Sequence, residues 1–296
     1  MDNTIKVGDI HIVGLTDGSV TFDPRILFPD TALEAWEPYY DIFPECFDGK
    51  FFRTNLGSFA ISTKDKLIVA DTGFGPHGDM FGFPAPGRLL GDFESNGLSL
   101  ESVNTVFITH LHGDHYGWNY REDTEERKPT FPNAEYVVHT KDWEHWTSDS
   151  MKSDKTDDPL ARSVIPLFDD GLLKLIEGKT QIGRGVDAIH TPGHTPGHMS
   201  LIISSGKERA FLIGDIVGSP MQVTESEFFY TPDSDSELGR KTRNDMLDLA
   251  EKENVTVLGS HLSHPGWGTI VRWEGRRYFQ PLKNIKERLI TSSKNV

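Results

Sequence analysis

The 296-residue chain contains a single cysteine, Cys46. One thiol cannot close an intrachain disulfide, and it cannot build a cysteine-rich metal site. Basic residues are also scarce: 30 Lys and Arg stand against 45 Asp and Glu, a formal net charge of −15. Phosphate binding needs Lys/Arg density, so this balance speaks against nucleic acid as a partner. It speaks equally against anionic membrane surfaces. No run approaches the roughly 18 apolar residues of a membrane span. The opening M-D-N-T-I-K-V-G-D-I has no basic stretch followed by an apolar one, so it does not read as a secretory signal. A cytoplasmic protein is the expectation. No G-x-S-x-G elbow is present, which leaves water rather than serine as the nucleophile of any hydrolysis. Hydrophobic residues at 36% and charged residues at 25% fit a globular protein with a well-developed core.

Short stretches rich in β-branched residues and ended by Gly, Asp or Pro read as strands. They are Ile10–Leu15, Phe59–Ser62, Leu67–Ala70, Thr105–Ile108, Tyr136–Val138, Val186–Ile189, Ser200–Ile203, Ala210–Ile213 and Val255–Gly259. Helical patterns lie between them. Lys141–Trp146 follows Thr140 as a candidate N-cap. Asp235–Glu253 is the longest, with Ser236 as its cap and Met246, Leu247, Leu249 and Ala250 as its apolar face. The mixture predicts a single α/β domain over residues 1–296 with layered sheets. The polar run 149–159 reads as a solvated loop. Residues 22–52 are rich in aromatics, hold Pro24, Pro29, Pro38 and Pro44, and show no clean period. They read as an irregular insertion packed on the core, or as an arm lining a cleft or contacting a second copy in a homodimer.

Histidine is uncommon, 12 in the chain, yet T-H-L-H-G-D-H-Y-G at 109–117 crowds three into six positions beside an aspartate. His110 and His112 follow a buried strand. Two-residue spacing in extended chain points both imidazoles the same way. Gly113 lets the backbone turn so that Asp114 and His115 face the same volume. A strand-end loop of this kind presents four ligands to one or two cations. More candidates follow later strands: H-T-P-G-H-T-P-G-H at 190–198, Gly214-Asp215, and S-H-L-S-H at 260–264. Strand-end placement favours His261 over His264. His190 and His198 read as hydrogen-bonding residues around His194. His11, His77, His139 and His145 read as structural or surface residues.

The combined pattern resembles the metallo-β-lactamase superfamily, whose signature is H-x-H-x-D-H, over roughly Ile10 to Leu282. S-H-L-S-H-P-G-W-G-T-I and G-D-I-V-G-S-P-M-Q-V look most like its methyl parathion hydrolase group, which is related to the acyl-homoserine lactonases. The resemblance implies an αββα sandwich of two mixed sheets flanked by helices, and a dinuclear centre. His110, His112 and His194 would hold the first ion. Asp114, His115 and His261 would hold the second, with Asp215 bridging. Zn2+ is the first expectation, with Mn2+, Co2+ or Fe2+ as alternatives. Asp71 would support the histidine loop without binding metal. Asp114 and Asp215 would be the catalytic carboxylates, and a bridging hydroxide would attack a small-molecule ester or lactone. Organophosphate triesters would be a side substrate. Lactamases that place a thiolate at position 215 are set apart from this chain. Many lactonases of the superfamily carry a tyrosine just after the bridging aspartate, where this chain has Ile216-Val217-Gly218. Other readings are a glyoxalase-II-like thioesterase, which would want a basic patch beyond R-W-E-G-R-R at 272–277, and a redox or non-hydrolytic member of the fold.

Overall fold

The computed structural model describes residues 3–281, apart from 86, 122–126 and 152–157. Two mixed sheets lie face to face. The first runs, edge to edge, Thr4–Val7, Ile10–Phe22, Phe51–Ser62, Leu67–Ala70, Thr105–Phe107, Glu135–His139 and Leu173–Ile176, with Phe47–Asp48 paired to the third of these. Its first half is antiparallel. Pairing turns parallel from Leu67–Ala70 onward. The second runs Thr180–Gly183, Val186–His190, Met199–Ser205, Glu208–Leu212, Thr256–Leu258, Trp267–Trp273 and Arg276–Pro281. Here only Glu208–Leu212 and Thr256–Leu258 pair in parallel, which the long helix Ser236–Glu253 between them makes possible.

Alternation explains the layering. Ile12, Phe59, Ile61, Ile68 and Phe107 of the first sheet meet Leu201, Ile203, Ala210, Leu212 and Leu258 of the second in a shared apolar layer. The opposite faces carry their own layers. Val69, Val106, Tyr136 and Val138 pack under the helices Leu89–Ser95, Pro159–Ser163 and Ile165–Asp169. Phe211, Val257 and Ile270 pack under Met246, Leu247 and Ala250 of the long helix. This is the αββα sandwich expected. All nine expected strands form, most of them longer than read. The polar run 149–159 keeps its middle, 152–157, outside the described residues.

Several details differ from expectation. The long helix begins at Ser236 and its cap is Asp235, whose carboxylate accepts the Leu238 amide. Asp reaches that amide as well as Ser would. Thr140 lies inside the helix Thr140–Trp146, and His139 Nδ1 caps it by accepting the Lys141 amide at 3.1 Å. The strand from Ile10 continues to Phe22 because Thr16–Ser19 forms a bulge in its register with the Phe51–Ser62 strand.

The aromatic segment 22–52 resolves into short turns, with 3-10 pieces at Pro24–Ile26, Leu33–Trp36 and Pro44–Cys46. Its rings nevertheless make a core. Trp36 is fully buried, 4.8 Å from Phe52, 5.1 Å from Phe28 and 5.6 Å from Phe228 between ring centroids. Phe22, Phe28, Phe43 and Phe47 are also buried, packed with the outer face of the second sheet.

Candidate metal centre

Every candidate ligand sits just beyond the end of a strand, on one rim of the sandwich. His110 and His112 follow Thr105–Phe107, and Asp114 and His115 lie in the one-turn helix Gly113–Tyr116. His194 sits in the turn between Val186–His190 and Met199–Ser205. Asp215 lies in the 3-10 turn Gly214–Ile216 after Glu208–Leu212, and His261 follows Thr256–Leu258. Gly214 is needed there: its φ is +51°, and a Cβ would meet His198 Nε2 at 2.7 Å.

Ligand atoms converge into two groups, His110 with His112 and His194, and Asp114 with His115, Asp215 and His261. Within the first, His112 Nδ1 is 3.0 Å from both His110 Nε2 and His194 Nε2. Within the second, His261 Nε2 is 3.2 Å from Asp114 Oδ2 and 2.9 Å from Asp215 Oδ2. Asp215 Oδ2 also lies 3.9 Å from His110 Nε2 and 3.5 Å from His194 Nε2, so one carboxylate oxygen faces both groups. All seven residues expected as ligands are therefore brought together. The residues fit divalent cations. Zn–N bonds of about 2.0–2.1 Å imply tetrahedral edges of about 3.3–3.4 Å, the scale of these separations. His115 Nε2 and Asp215 Oδ1 are buried with no hydrogen-bond partner, as donor atoms reserved for a cation would be.

Several ligands are oriented from behind. Asp71 accepts from His115 Nδ1 at 2.9 Å and from the Thr109 amide at 2.8 Å, so it supports the loop as expected. It does so from a left-handed backbone, φ 60°, a strain typical of functional positions. His261 Nδ1 donates to the Asn55 carbonyl at 2.8 Å, and His194 Nδ1 to Asp233 Oδ1 at 3.0 Å. His198 is buried and accepts the Asp215 amide at 3.1 Å; His190 bonds the Pro196 carbonyl. His264 is exposed and lies in a different surface cleft, with Arg53 and Arg88.

Electrostatics divides the rings. Burial, reinforced by neighbouring imidazoles, holds His110 well below the usual histidine range and pushes His112 down to about 3. Both therefore present bare nitrogens. Burial also opposes charge on His115 and His261, but the carboxylates of Asp215 and Asp114 outweigh it. They raise His115 well above the usual range and His261 to about 10. The two carboxylates thus draw protons onto these imidazoles, and a cation held by the second group would take the place of those protons.

Over this floor opens a cavity of about 360 Å3. Its walls are Phe22, Ile26 and Leu27 from the aromatic segment, Phe74, and Met80 with Phe81 from the small hairpin Asp79–Pro84. Asp79 is at the rim, and among the described residues no Lys or Arg lines the cavity.

Sequence reasoning missed five residues. Tyr230 enters the cavity, its ring stacked on His194 at 5.8 Å and its hydroxyl packed against Gly218. A tyrosine is thus supplied from fifteen positions past Asp215, where no local motif marks it. Asp142 accepts from the Leu111 and Gly197 amides and from Thr195 Oγ1, tying the two histidine loops together. Asp17, inside the bulge, accepts from the Phe74, Gly75 and Leu89 amides and from Trp118 Nε1, fixing the loop that carries Phe74. Asp233 and Arg243 complete the set. Only the glycines beside these acids gave a signal: at Gly197 a Cβ would meet the Asp142 amide nitrogen at 2.4 Å.

Fold and centre together define a metal-dependent hydrolase class. Residues 58–261 match the metallo-beta-lactamase superfamily, and the chain belongs to it. Among particular proteins, it is 26% identical over 228 residues to an N-acyl homoserine lactonase of Bacillus cereus, covering 72% of this chain and 83% of that one. A Bacillus sp. N-acyl homoserine lactonase is 26% identical over 174 residues, 59% of this chain and 62% of the lactonase's own length. In structure it is similar to the hydrolase AbOPH of the beta-lactamase superfamily, with TM-score 0.82, 25% identity, and 95% and 97% of the two chains covered. It also shares the fold of the dizinc quorum-quenching lactonase AidC, solved with a product, at TM-score 0.78 and 22% identity over 95% and 97% of the chains.

Proposed function

We propose that this chain is a dinuclear hydrolase that opens lactones and cleaves uncharged esters, with two divalent ions held by His110, His112, Asp114, His115, His194, Asp215 and His261. The observation that carries it is Asp215 Oδ2, 3.5 Å from His194 Nε2 and 2.9 Å from His261 Nε2, joining the two ligand groups beneath an apolar cavity. Zinc suits this imidazole-rich set, and manganese, cobalt or iron would be tolerated. Bound there, the ions would supply Lewis acidity, lowering the pKa of a water and polarising the substrate carbonyl.

The chain's own groups do the rest. Asp114, at the cavity wall, is placed to take a proton from water and return it to the leaving alkoxide. Burial holds the Tyr230 phenol well above its usual range, so it stays a hydrogen-bond donor toward a developing oxyanion. Phe22, Ile26, Leu27, Phe74, Met80 and Phe81 would bury an apolar acyl or aryl group. A neutral phosphotriester suits the same walls and is proposed as a side substrate.

The thioesterase reading is disfavoured by the same lining. Glutathione carboxylates need cations, and the described residues of the cavity wall offer none. Arg272, Arg276 and Arg277 are paired instead with Glu251, Glu225 and Asp248.

The proposal treats residues 1–296 as one catalytic domain. It includes a homodimer through the exposed end of the aromatic segment, where Phe51 stands 42% exposed. Sedimentation showing only monomer at micromolar concentration removes the dimer and leaves the rest.

The test is a comparison of metal-reconstituted protein on an acyl lactone, an aryl ester and a glutathione thioester, with Asp215→Ala as control. Lactone or ester turnover that a chelator abolishes is expected. Full activity without transition metal, or preference for the thioester, overturns the proposal.

A further inference from the structure

Among the Lys and Arg side chains of the described residues, Arg243 is unusual: it is 1% exposed, on the inner face of the long helix. Burying a guanidinium is costly unless its donors are all used. Arg243 uses them in three directions. Nε donates to the Ile216 carbonyl at 2.7 Å, Nη2 to Asp233 Oδ2 at 2.7 Å and Nη1 to the Ser226 carbonyl at 3.1 Å. Its guanidinium also lies 5.9 Å from the Tyr230 ring centroid.

Two of these contacts lead directly to different parts of the centre. Ile216 follows Asp215, so the Nε bond holds the end of the turn that presents the shared carboxylate. Asp233 uses its other oxygen on His194 Nδ1, at 3.0 Å. A carboxylate can only accept, so the hydrogen sits on Nδ1 and His194 Nε2 is bare. That bare nitrogen faces His112 Nδ1 at 3.0 Å. Local backbone fits the pair closely. Gly239 lets Asp233 approach, since a Cβ there would meet Asp233 Oδ2 at 2.7 Å. Ser234 and Asp235 amides donate to the His194 and Gly193 carbonyls at 2.9 and 3.0 Å.

We propose that Arg243 and Asp233 form a buried positioning pair that sets the His194 tautomer and the Asp215 turn together, so that one guanidinium on the helix governs ligands of both metal groups. Neither residue touches the cavity; both act through the ligands they hold. The inference rests on the reading of the cluster as a metal centre. Partners that orient a metal-binding histidine typically contribute ten- to a hundredfold in metal affinity.

The test measures zinc and cobalt(II) binding to the purified full chain by competition with a chromophoric chelator, together with the absorption spectrum of the cobalt form. The variants are Asp233→Asn, Arg243→Lys and Arg243→Met. Met246→Ala, on the same helix but packed in the apolar core, is the control for lost helix stability. Asp233→Asn and Arg243→Met should weaken metal binding by roughly ten- to a hundredfold and shift the cobalt spectrum, with Arg243→Lys in between. Met246→Ala should leave affinity and spectrum unchanged at a comparable loss of melting temperature. Wild-type affinity and spectrum in Asp233→Asn and both Arg243 variants overturn the inference while the metal centre stands. An equal loss of affinity in Met246→Ala also overturns it, because helix stability alone would then explain the effect. Should Arg243→Met not fold, Asp233→Asn and Arg243→Lys decide between the same outcomes. A wild-type chain that binds neither ion sinks the metal-centre reading itself.

Discussion

The floor of the cavity and the aromatic segment that walls it are held by different forces. On the floor four of the five rings have a directional partner: Asp71 for His115, Asp233 for His194, the Asn55 carbonyl for His261 and Thr109 Oγ1 for His110. In the aromatic segment behind the wall, Phe28, Trp36 and Phe52 hold one another by ring packing and area. Directional partners fix atoms to within a few tenths of an ångström and leave little tolerance. Packed rings stabilise the chain and tolerate exchange for similar volumes. The floor should therefore matter most to chemistry and the wall most to stability.

The comparison breaks first at Asp215. Asp215→Ala should lower kcat/KM by more than about a hundredfold, beyond what losing a residue that only supports a ligand costs. The rise in melting temperature on adding zinc should shrink with it, because ligand binding stabilises only the state that binds. Retained activity and an undiminished zinc shift would show that the floor is not the centre. In the aromatic segment behind the wall, Trp36→Ala should cost about 3–5 kcal/mol of stability by opening a large cavity. Metal stoichiometry of the folded fraction should not change. A parallel loss of metal would mean the two regions are one cooperative unit. A smaller effect belongs to Phe81, 51% exposed at the cavity mouth. Phe81→Ala should leave the melting temperature in place and raise KM for a long-chain ester roughly fivefold, about 1 kcal/mol, with kcat unchanged. An equal fall in kcat would move Phe81 from binding to chemistry.

The two regions also differed in how far they could be read before the fold was known. Metal ligands are few in type and clustered in sequence, so His110 to His115, His194, Asp215 and His261 stood out at strand ends. The aromatic segment has no period, since its rings pack from 3-10 turns, and its place on the second sheet depends on partners far along the chain such as Phe211 and Met246. Strand centres were legible and strand ends were not. Ile10–Phe22 runs on through Thr16-Asp17-Gly18-Ser19, a polar break that hides a bulge. Strands Leu173–Ile176, Thr180–Gly183 and Arg276–Pro281 were missed because charge or brevity masks them, and Trp267–Trp273 was missed without either. Asp17, Asp142, Asp233 and Arg243 were illegible for a single reason: a buried charge reveals its role only through the groups it meets in space.

The smallest effect concerns a histidine outside both regions. His139 is buried, stacks on His190 at 4.3 Å, and among the described residues makes no ion pair, unlike His115, with Glu177 only weakly opposing the shift. Burial, then His190 and Lys141, push it down to about 4. An unfolded histidine binds its proton near pH 6.5, so between about 4 and 6.5 the unfolded chain holds more protons than the folded one. Stability from this residue is therefore complete above about pH 6.5 and is lost as pH falls toward 4. Protonation would also remove the Nδ1 lone pair that caps Thr140–Trp146, the helix carrying Asp142. His139→Asn keeps a capping acceptor and cannot titrate. Its stability should fall less steeply than wild type between pH 6.5 and 4, by a fraction of the roughly 1.4 kcal/mol per pH unit that one full proton gives. Ligand histidines titrate in both proteins and cancel in the difference. Identical slopes would mean that His139 is protonated inside the fold, and that burial alone does not separate the structural histidines of this chain from those held by carboxylates.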